Sequence, residues 1–150
     1  MNDEFNAIQK KLAFDTVTLA KKIVTAIDAY ASSFGRAESL SFFAANNNLE
    51  EYEERYLRFT LELTDTVSEL STLNAKLASL LIAADKAMEI DLTLFLQKRF
   101  DAFVLFEQAL YEYTSSVESA FSSGTASARF LINSVQRLKS ATERLIQENF

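Results

Sequence analysis

The chain has 150 residues, with no cysteine, histidine or proline, only two glycines, and a formal net charge of −6. The missing cysteines exclude a disulfide framework and a thiolate metal site, and the missing histidines remove the commonest general base and metal ligand. The negative charge argues against nucleic acid as a general partner. Because the turns of β and α/β folds normally need glycine and proline, the composition favours an all-α protein.

The first amphipathic stretch predicts a long helix that begins at Asn2 or Asp3, either of which can cap it. Its apolar residues recur every three or four positions, as one face of a helix requires. The predicted core face consists of Phe5, Ile8, Leu12, Thr16, Leu19, Ile23, Ile27, Tyr30 and Phe34. The helix either stops at Gly35 or continues through it at a cost of about 1 kcal/mol.

A second helix is predicted after the three asparagines at 46–48, which form the clearest loop in the chain. Asn48 and Glu51 have the spacing of a capping box. The predicted core face is Tyr52, Tyr56, Phe59, Leu63, Val67, Leu70, Leu77, Leu81, Ala84 and Met88. Asn74 lies inside this stripe, so it either sets the register between helices or marks a break in the helix.

The third predicted helix follows a turn at 89–91, with Asp91 as its N-cap, and is the most apolar part of the chain. Its apolar residues cover more than half of its circumference, so we expect it to touch at least two neighbours and to form the centre of the core. The main face holds Leu92, Leu96, Phe103, Phe106, Leu110, Tyr113, Val117 and Phe121, and a second stripe holds Phe100, Val104 and Tyr111.

A turn at 122–125 precedes a fourth helix with regular heptad spacing. Its core positions are Ala128, Leu131, Val135, Leu138, Thr142 and Leu145. Four long helices with short connections predict an all-α, antiparallel four-helix bundle that forms a single domain over residues 1–150. The alternative is a three-helix bundle in which the second and third helices form one very long central helix.

Arg99 projects into the main apolar stripe of the third helix. An uncompensated buried arginine is costly, so it needs a route to water, a carboxylate on another helix or an anionic ligand. The last possibility predicts a ligand-sensing or carrier bundle with a pocket between its helices. The pocket would be lined by Phe95, Phe103, Phe106 and Tyr113 and gated by Arg99.

Several apolar residues lie outside the core stripes and are candidates for an interaction surface. Phe14 sits among Lys10, Lys11, Lys21 and Lys22, which suits an anionic surface such as lipid or nucleic acid, unless residues 36–45 cover it. The others are Leu57, Leu61, Leu94 and Leu105. Together they exceed what one bundle can bury, which predicts self-association or a protein partner.

These patterns favour a non-enzymatic protein–protein interaction module, with a ligand-binding bundle or an anionic-surface binder as alternatives. No cofactor or metal site is expected, because the carboxylate pairs at helical spacing are typical of a solvated face. These pairs are Glu50/Glu54, Glu62/Asp65, Asp65/Glu69 and Asp85/Glu89. With neither a signal-like nor a membrane-spanning apolar segment in the sequence, we expect a soluble, cytoplasmic protein.

Overall fold

The computed structural model describes residues 3–34, 49–122 and 128–150, with side chains described for 3–29, 54, 57–118 and 133–150. In these ranges the chain forms four helices and no strand. The helices are α1 (Asp3–Phe34), α2 (Leu49–Lys86), α3 (Ile90–Ser122) and α4 (Ala128–Asn149). The all-α four-helix prediction is confirmed, and the three-helix alternative is wrong because α2 and α3 are separate.

The helices form a ring in chain order. Each packs on the next, and α4 closes the ring on α1, whereas no close backbone contact joins the diagonal pairs among the described residues. Neighbours run antiparallel, since Thr60 pairs with Tyr113 while Asn74, further along α2, pairs with Glu107, further back on α3. Helix α3 has two neighbours, as predicted, but it occupies one corner of the ring and is not the centre.

The four predicted apolar stripes meet in one core. The buried members are Phe5, Leu12, Leu19, Ile23 and Ile27; Phe59, Leu63, Leu70, Leu77 and Ala84; Leu96, Phe103, Phe106, Tyr113 and Val117; and Val135, Leu138 and Leu145. Thr16 and Thr142 are buried among them. Each hydroxyl donates to the carbonyl four residues earlier, at 2.7 and 2.6 Å, so neither needs a partner on another helix.

Three predicted core positions are wrong. Ile8 is exposed, and the adjacent Gln9 is buried in its place because its side chain pairs with Arg99. Tyr111 lies on the outer face of α3, and Met88 lies beyond the end of α2, so both are exposed. Segments 35–48 and 123–127 lie outside the described residues, as do the side chains of Tyr30, Phe34, Tyr52, Tyr56, Phe121, Ala128 and Leu131.

The turn between α2 and α3 lies at residues 87–89, two positions before the predicted turn. Met88 adopts a φ of 59°, the left-handed conformation that usually selects glycine. The amides of Met88 and Glu89 donate to the carbonyls of Asp85 and Ala84, which is the Schellman pattern of helix termination. The prediction failed because a methionine occupies the position at which a glycine would have marked the stop.

Asn74 joins two helices and does not interrupt one. Helix α2 continues without a break from Leu49 to Lys86, so the predicted alternative of a break near Asn74 is wrong. The Asn74 amide Nδ2 donates to Glu107 Oε1 of α3 at 3.2 Å, while its buried Oδ1 has no partner among the described residues. This contact helps to set the axial register between α2 and α3.

Candidate functional site

Arg99 is a buried cation whose only hydrogen bond among the described residues goes to a neutral acceptor. Its side chain is 7% exposed, and Nη1 donates to Gln9 Oε1 of the diagonal helix α1 at 2.7 Å. The guanidinium carbon lies 4.2 Å from the centre of the Phe95 ring, a cation–π distance. Nε has no hydrogen-bond partner in the described part of the chain. A carboxylate on another helix was one of the predicted partners of Arg99. The observed partner is the neutral amide of Gln9.

Burial lowers the pKa of the Arg99 guanidinium because desolvation disfavours its charged form. No described carboxylate counteracts this effect, although the chain carries 21 acidic residues. An arginine stays protonated at neutral pH even when its pKa falls. The core therefore holds a positive charge that its described neighbours do not neutralise.

Arg99 lines a groove of about 380 Å³ at the place where α4 ends beside α1. We call it the Arg99 groove; its other lining residues are Lys10, Ala13, Phe14, Val17, Thr18, Lys21, Asn149 and Phe150. Asp28 and Lys139 pair across the antiparallel helices at 2.6 Å, which sets residue 150 opposite residue 17. Asn149 and Phe150 thus lie beside α1, and Arg99 lines the groove between them.

Only part of the predicted cluster of Phe14 and four lysines lines the Arg99 groove, although Lys21 and Lys22 also share a shallow groove on α1. Phe14, Lys10 and Lys21 line the Arg99 groove, whereas Lys11 and Lys22 do not. Lys22 lines a groove between α1 and α2, as does Glu69. Phe14 is 71% exposed, so no described residue covers it, and residues 36–45, which were predicted to do so as one alternative, lie outside the described residues.

The exposed leucines do not form one surface. Leu94 lies on the first turns of α3, close to the turn at residues 87–89, and is 59% exposed. Leu105 lies in a shallow groove between α3 and α4, beside the Glu112–Arg137 ion pair. Leu57 and Leu61 lie on α2, where Leu61 is 72% exposed. The predicted interaction residues therefore lie on at least three separate surfaces.

Leu57 and Leu61 begin a stripe that follows the outward side of α2. Its eight positions are spaced alternately by four and three residues, and none is charged. We call them the outer seam: Leu57, Leu61, Thr64, Ser68, Ser71, Ala75, Ala78 and Ile82. All are exposed except Ala78, which is half-buried. The core residues Phe59, Leu63, Leu70 and Leu77 lie on the opposite side of the same helix.

The sequence reasoning found the first two members of the outer seam and missed the other six. Serine, threonine and alanine do not stand out in a search for large apolar residues. Two signals were nevertheless present in the sequence. One was the sustained heptad spacing, and the other was the absence of charge at eight successive positions of a surface stripe.

The predicted ligand pocket does not match the positions of its aromatic residues. Phe103, Phe106 and Tyr113 are buried packing residues of the core. Tyr113 contacts Phe59 edge-to-face with ring centres 5.7 Å apart, and its hydroxyl shares a hydrogen bond of 3.1 Å with Thr60. Of the predicted lining set, only Phe95, which is 45% exposed, lies open to solvent beside Arg99.

The acidic side chains in the described residues are dispersed. No three of them lie close enough to hold a metal ion. Glu54 pairs with Arg58 at 2.9 Å on the surface, and the predicted partners of the other pairs, Glu62, Asp65, Glu69, Asp85 and Glu89, are exposed. Glu50 has no described side chain. Over the same residues, no helix carries an apolar stretch that could cross a bilayer.

In comparisons with protein-family models, curated proteins and solved structures, nothing matches this chain.

Proposed function

We propose that this protein is a non-enzymatic protein–protein interaction module that self-associates through the outer seam of α2. The observation that carries the proposal is the uncharged, heptad-spaced stripe over residues 57–82, exposed along nearly all of its length. The solvent side of a surface helix is normally charged or strongly polar. A second uncharged seam opposite the core seam is typical of a helix that packs on both sides.

The size pattern of the seam suits a second copy of the same helix. Its spacing is symmetric about the midpoint between residues 69 and 70, so an antiparallel copy would set Leu57 opposite Ile82, Leu61 opposite Ala78 and Ser68 opposite Ser71. Long helices curve with their convex side towards solvent. Two convex helices approach most closely at their centres, where the seam has small residues, and diverge at the ends, where large residues would fill the gap.

The expected affinity is modest. Complete burial of a leucine or isoleucine contributes roughly 1.5–3 kcal/mol, and the dimer would bury Leu57, Leu61 and Ile82 from each copy. Association itself costs about 4–15 kcal/mol in lost translational and rotational freedom. The balance predicts a micromolar or weaker dimer that dissociates on dilution.

Sedimentation equilibrium over a series from low micromolar to submillimolar protein tests the proposal. We expect the average mass to rise with concentration for the wild type, and Leu61→Lys to stay monomeric because it places a charge in the seam. Tyr111→Lys is the matched control, since it places the same charge at an equally exposed aromatic residue on α3. A strictly monomeric wild type would contradict self-association, as would equal effects of the two variants.

The absence of cysteine allows the orientation to be tested by oxidation. In an antiparallel dimer, the double variant Leu57→Cys/Ile82→Cys forms a disulfide-linked dimer, whereas Leu57→Cys alone does not. Parallel pairing would produce the linked dimer from the single variant. If the wild type is monomeric but Leu61→Lys alone loses capture of another cellular protein, the seam serves a different partner.

The proposal includes a cytoplasmic location, which rests on the sequence pattern alone. Fractionation of the cells that express the protein, with antibody detection, tests it. Recovery from a membrane or an extracellular fraction would contradict this part of the proposal and leave the seam hypothesis unaffected.

A further inference from the structure

We infer that the Arg99 groove binds a small organic carboxylate, whose charge lies against Arg99, Lys10 and Lys21 and whose apolar group packs on Phe14 and Phe150. This site uses none of the residues of the outer seam, so it goes beyond the proposed self-association.

The side chains that line the groove give it a positive charge. Three of its nine lining side chains are cationic and none is acidic, in a chain with 21 acidic and 15 basic residues. Arg99 is more than nine-tenths buried, and its Nε is unpartnered among the described residues. A guanidinium presents a fork of donors that matches a carboxylate, and such charge-assisted bonds are about twice as strong as neutral ones.

The other polar side chains that line the groove already donate to backbone carbonyls. The available donors are therefore the three cations of the groove. Thr18 Oγ1 donates to the carbonyl of Phe14 at 3.0 Å, and Asn149 Nδ2 donates to the carbonyl of Leu145 at 2.8 Å. Gln9 accepts from only one nitrogen of Arg99. An anion that enters the groove would therefore meet Arg99 and the two lysines without displacing an ion pair of the described residues.

The apolar lining selects an organic anion over an inorganic one. Ala13, Phe14, Val17 and Phe150 form an apolar wall, and both phenylalanines are largely exposed. Small-molecule sites typically combine such a wall with a few convergent polar groups, in volumes of about 300–1,000 Å³. The groove, at about 380 Å³, falls at the small end of that range.

Titration of the protein with 4-phenylbutyrate, followed by amide chemical shifts in NMR spectra, tests the ligand class. We expect saturable shifts at residues of the groove, and binding about tenfold weaker for the neutral 4-phenylbutan-1-ol. Inorganic phosphate should also bind more weakly, because it lacks the apolar group. Equal binding of the alcohol would overturn the anion site, and equal binding of phosphate would overturn the organic class.

The four lysines of α1 supply a matched pair of variants. Lys10→Gln/Lys21→Gln removes two charges that line the groove, and Lys11→Gln/Lys22→Gln removes two that do not. We expect the first variant to weaken 4-phenylbutyrate binding by about tenfold and the second to have little effect. Equal losses would mean that general electrostatic attraction, and not this groove, explains the binding.

Arg99→Met separates ligand binding from packing. We expect this variant to stay folded and to lose the binding of 4-phenylbutyrate. A folded variant that binds as tightly as the wild type would overturn the proposal. Leu61→Lys should bind 4-phenylbutyrate normally while failing to dimerise, so failure of the groove hypothesis and failure of the seam hypothesis can be told apart.

Discussion

Two buried polar side chains of α3, Tyr113 and Arg99, have different surroundings. We call their heights along the bundle the closed level and the open level. At the closed level, the Tyr113 hydroxyl pairs with Thr60 at 3.1 Å and its ring packs on Phe59. At the open level, fourteen residues and about 21 Å earlier along α3, Arg99 has one neutral acceptor and lies beside the half-exposed Phe95.

The residues of α4 beside the two side chains also differ. Arg137 of α4 pairs with Glu112 of α3 at 3.0 Å, so the fourth helix stands beside the closed level. At the open level α4 reaches its last residues, Asn149 and Phe150, which line the groove next to Arg99. Tyr113 is therefore fully buried beside α4, whereas Arg99 lines a groove.

The largest expected contrast is between two phenylalanines, one at each level. Phe59→Ala should lower the free energy of unfolding by about 3–5 kcal/mol, because Phe59 is buried and the deletion leaves a cavity. Phe95→Ala should cost about 1 kcal/mol or less, since solvent already reaches its ring. Urea denaturation measures both, and similar losses would show that the open level is packed as tightly as the closed one.

The next contrast concerns Arg99 and its acceptor. Gln9→Ala should destabilise by about 1–3 kcal/mol, because it leaves the buried guanidinium without its hydrogen bond. Arg99→Met should be neutral or stabilising by about 1–4 kcal/mol, because it removes a charge that no described carboxylate pairs. Combined in one double-mutant cycle, Gln9→Ala should cost much less in the Arg99→Met background. The same cost in both backgrounds would show that the two side chains are not coupled.

A smaller effect is expected from the hydroxyl at the closed level. Tyr113→Phe keeps the edge-to-face contact with Phe59 and removes the hydrogen bond to Thr60. We expect a loss of about 1 kcal/mol in denaturation experiments. Tyr111→Phe, on the exposed face of α3, is the control and should change stability little. An unchanged Tyr113→Phe variant would mean that the hydroxyl is as well satisfied by water as by Thr60.

The turn next to the open level should be easy to stabilise. Met88→Gly relieves the left-handed backbone at this position and removes a side chain that is exposed. Glycine also raises the conformational entropy of the unfolded chain, which offsets part of this gain. We therefore expect the free energy of unfolding, measured by calorimetry, to rise by about 0.5–1 kcal/mol. Met88→Ala keeps the Cβ atom and should gain nothing. A gain from alanine equal to that from glycine would point to the methionine side chain, not to backbone strain.

The smallest effect should come from Lys139, a partly exposed cation that, unlike Arg99, has a carboxylate partner. The hydrogen bond to Asp28 and the attraction of its charge raise the pKa of Lys139. Its contribution to stability is therefore complete below the range in which lysine ordinarily titrates, and is lost as the pH rises through the raised pKa. We expect the small difference in urea midpoint between wild type and Lys139→Gln to hold at neutral pH and vanish in strong alkali. A difference that grows with alkalinity would contradict this assignment.

The helices and most of their inward faces could be predicted from the sequence. Phe103, Leu138 and Leu145 are buried because the helical repeat sets them on one side whatever the neighbouring helix is. The turn at Met88 was misplaced because its backbone conformation, stabilised by hydrogen bonds to Ala84 and Asp85, is one that methionine seldom adopts.

The candidate sites were only partly predictable. Arg99 was conspicuous as a charge in an apolar stripe, and Phe14 as an aromatic among lysines. That Phe14, Lys10 and Lys21 share a groove with Arg99, while Lys11 and Lys22 do not, depends on how α1 is rotated against α3 and α4. The rotation of one helix against another depends on contacts between segments that are far apart in the chain. A local sequence pattern therefore does not predict it.

By itself, the sequence determined an all-α chain of four amphipathic helices and an excess of large apolar residues, because the repeat of each helix is a local property. The tertiary structure alone decided that Gln9 meets Arg99 ninety positions away. It also decided that Asn149 and Phe150 share a groove with Arg99 and that the outer seam of α2 stays uncovered by the rest of the described chain. These outcomes follow from the relative heights and rotations of packed helices, which depend on the whole core at once.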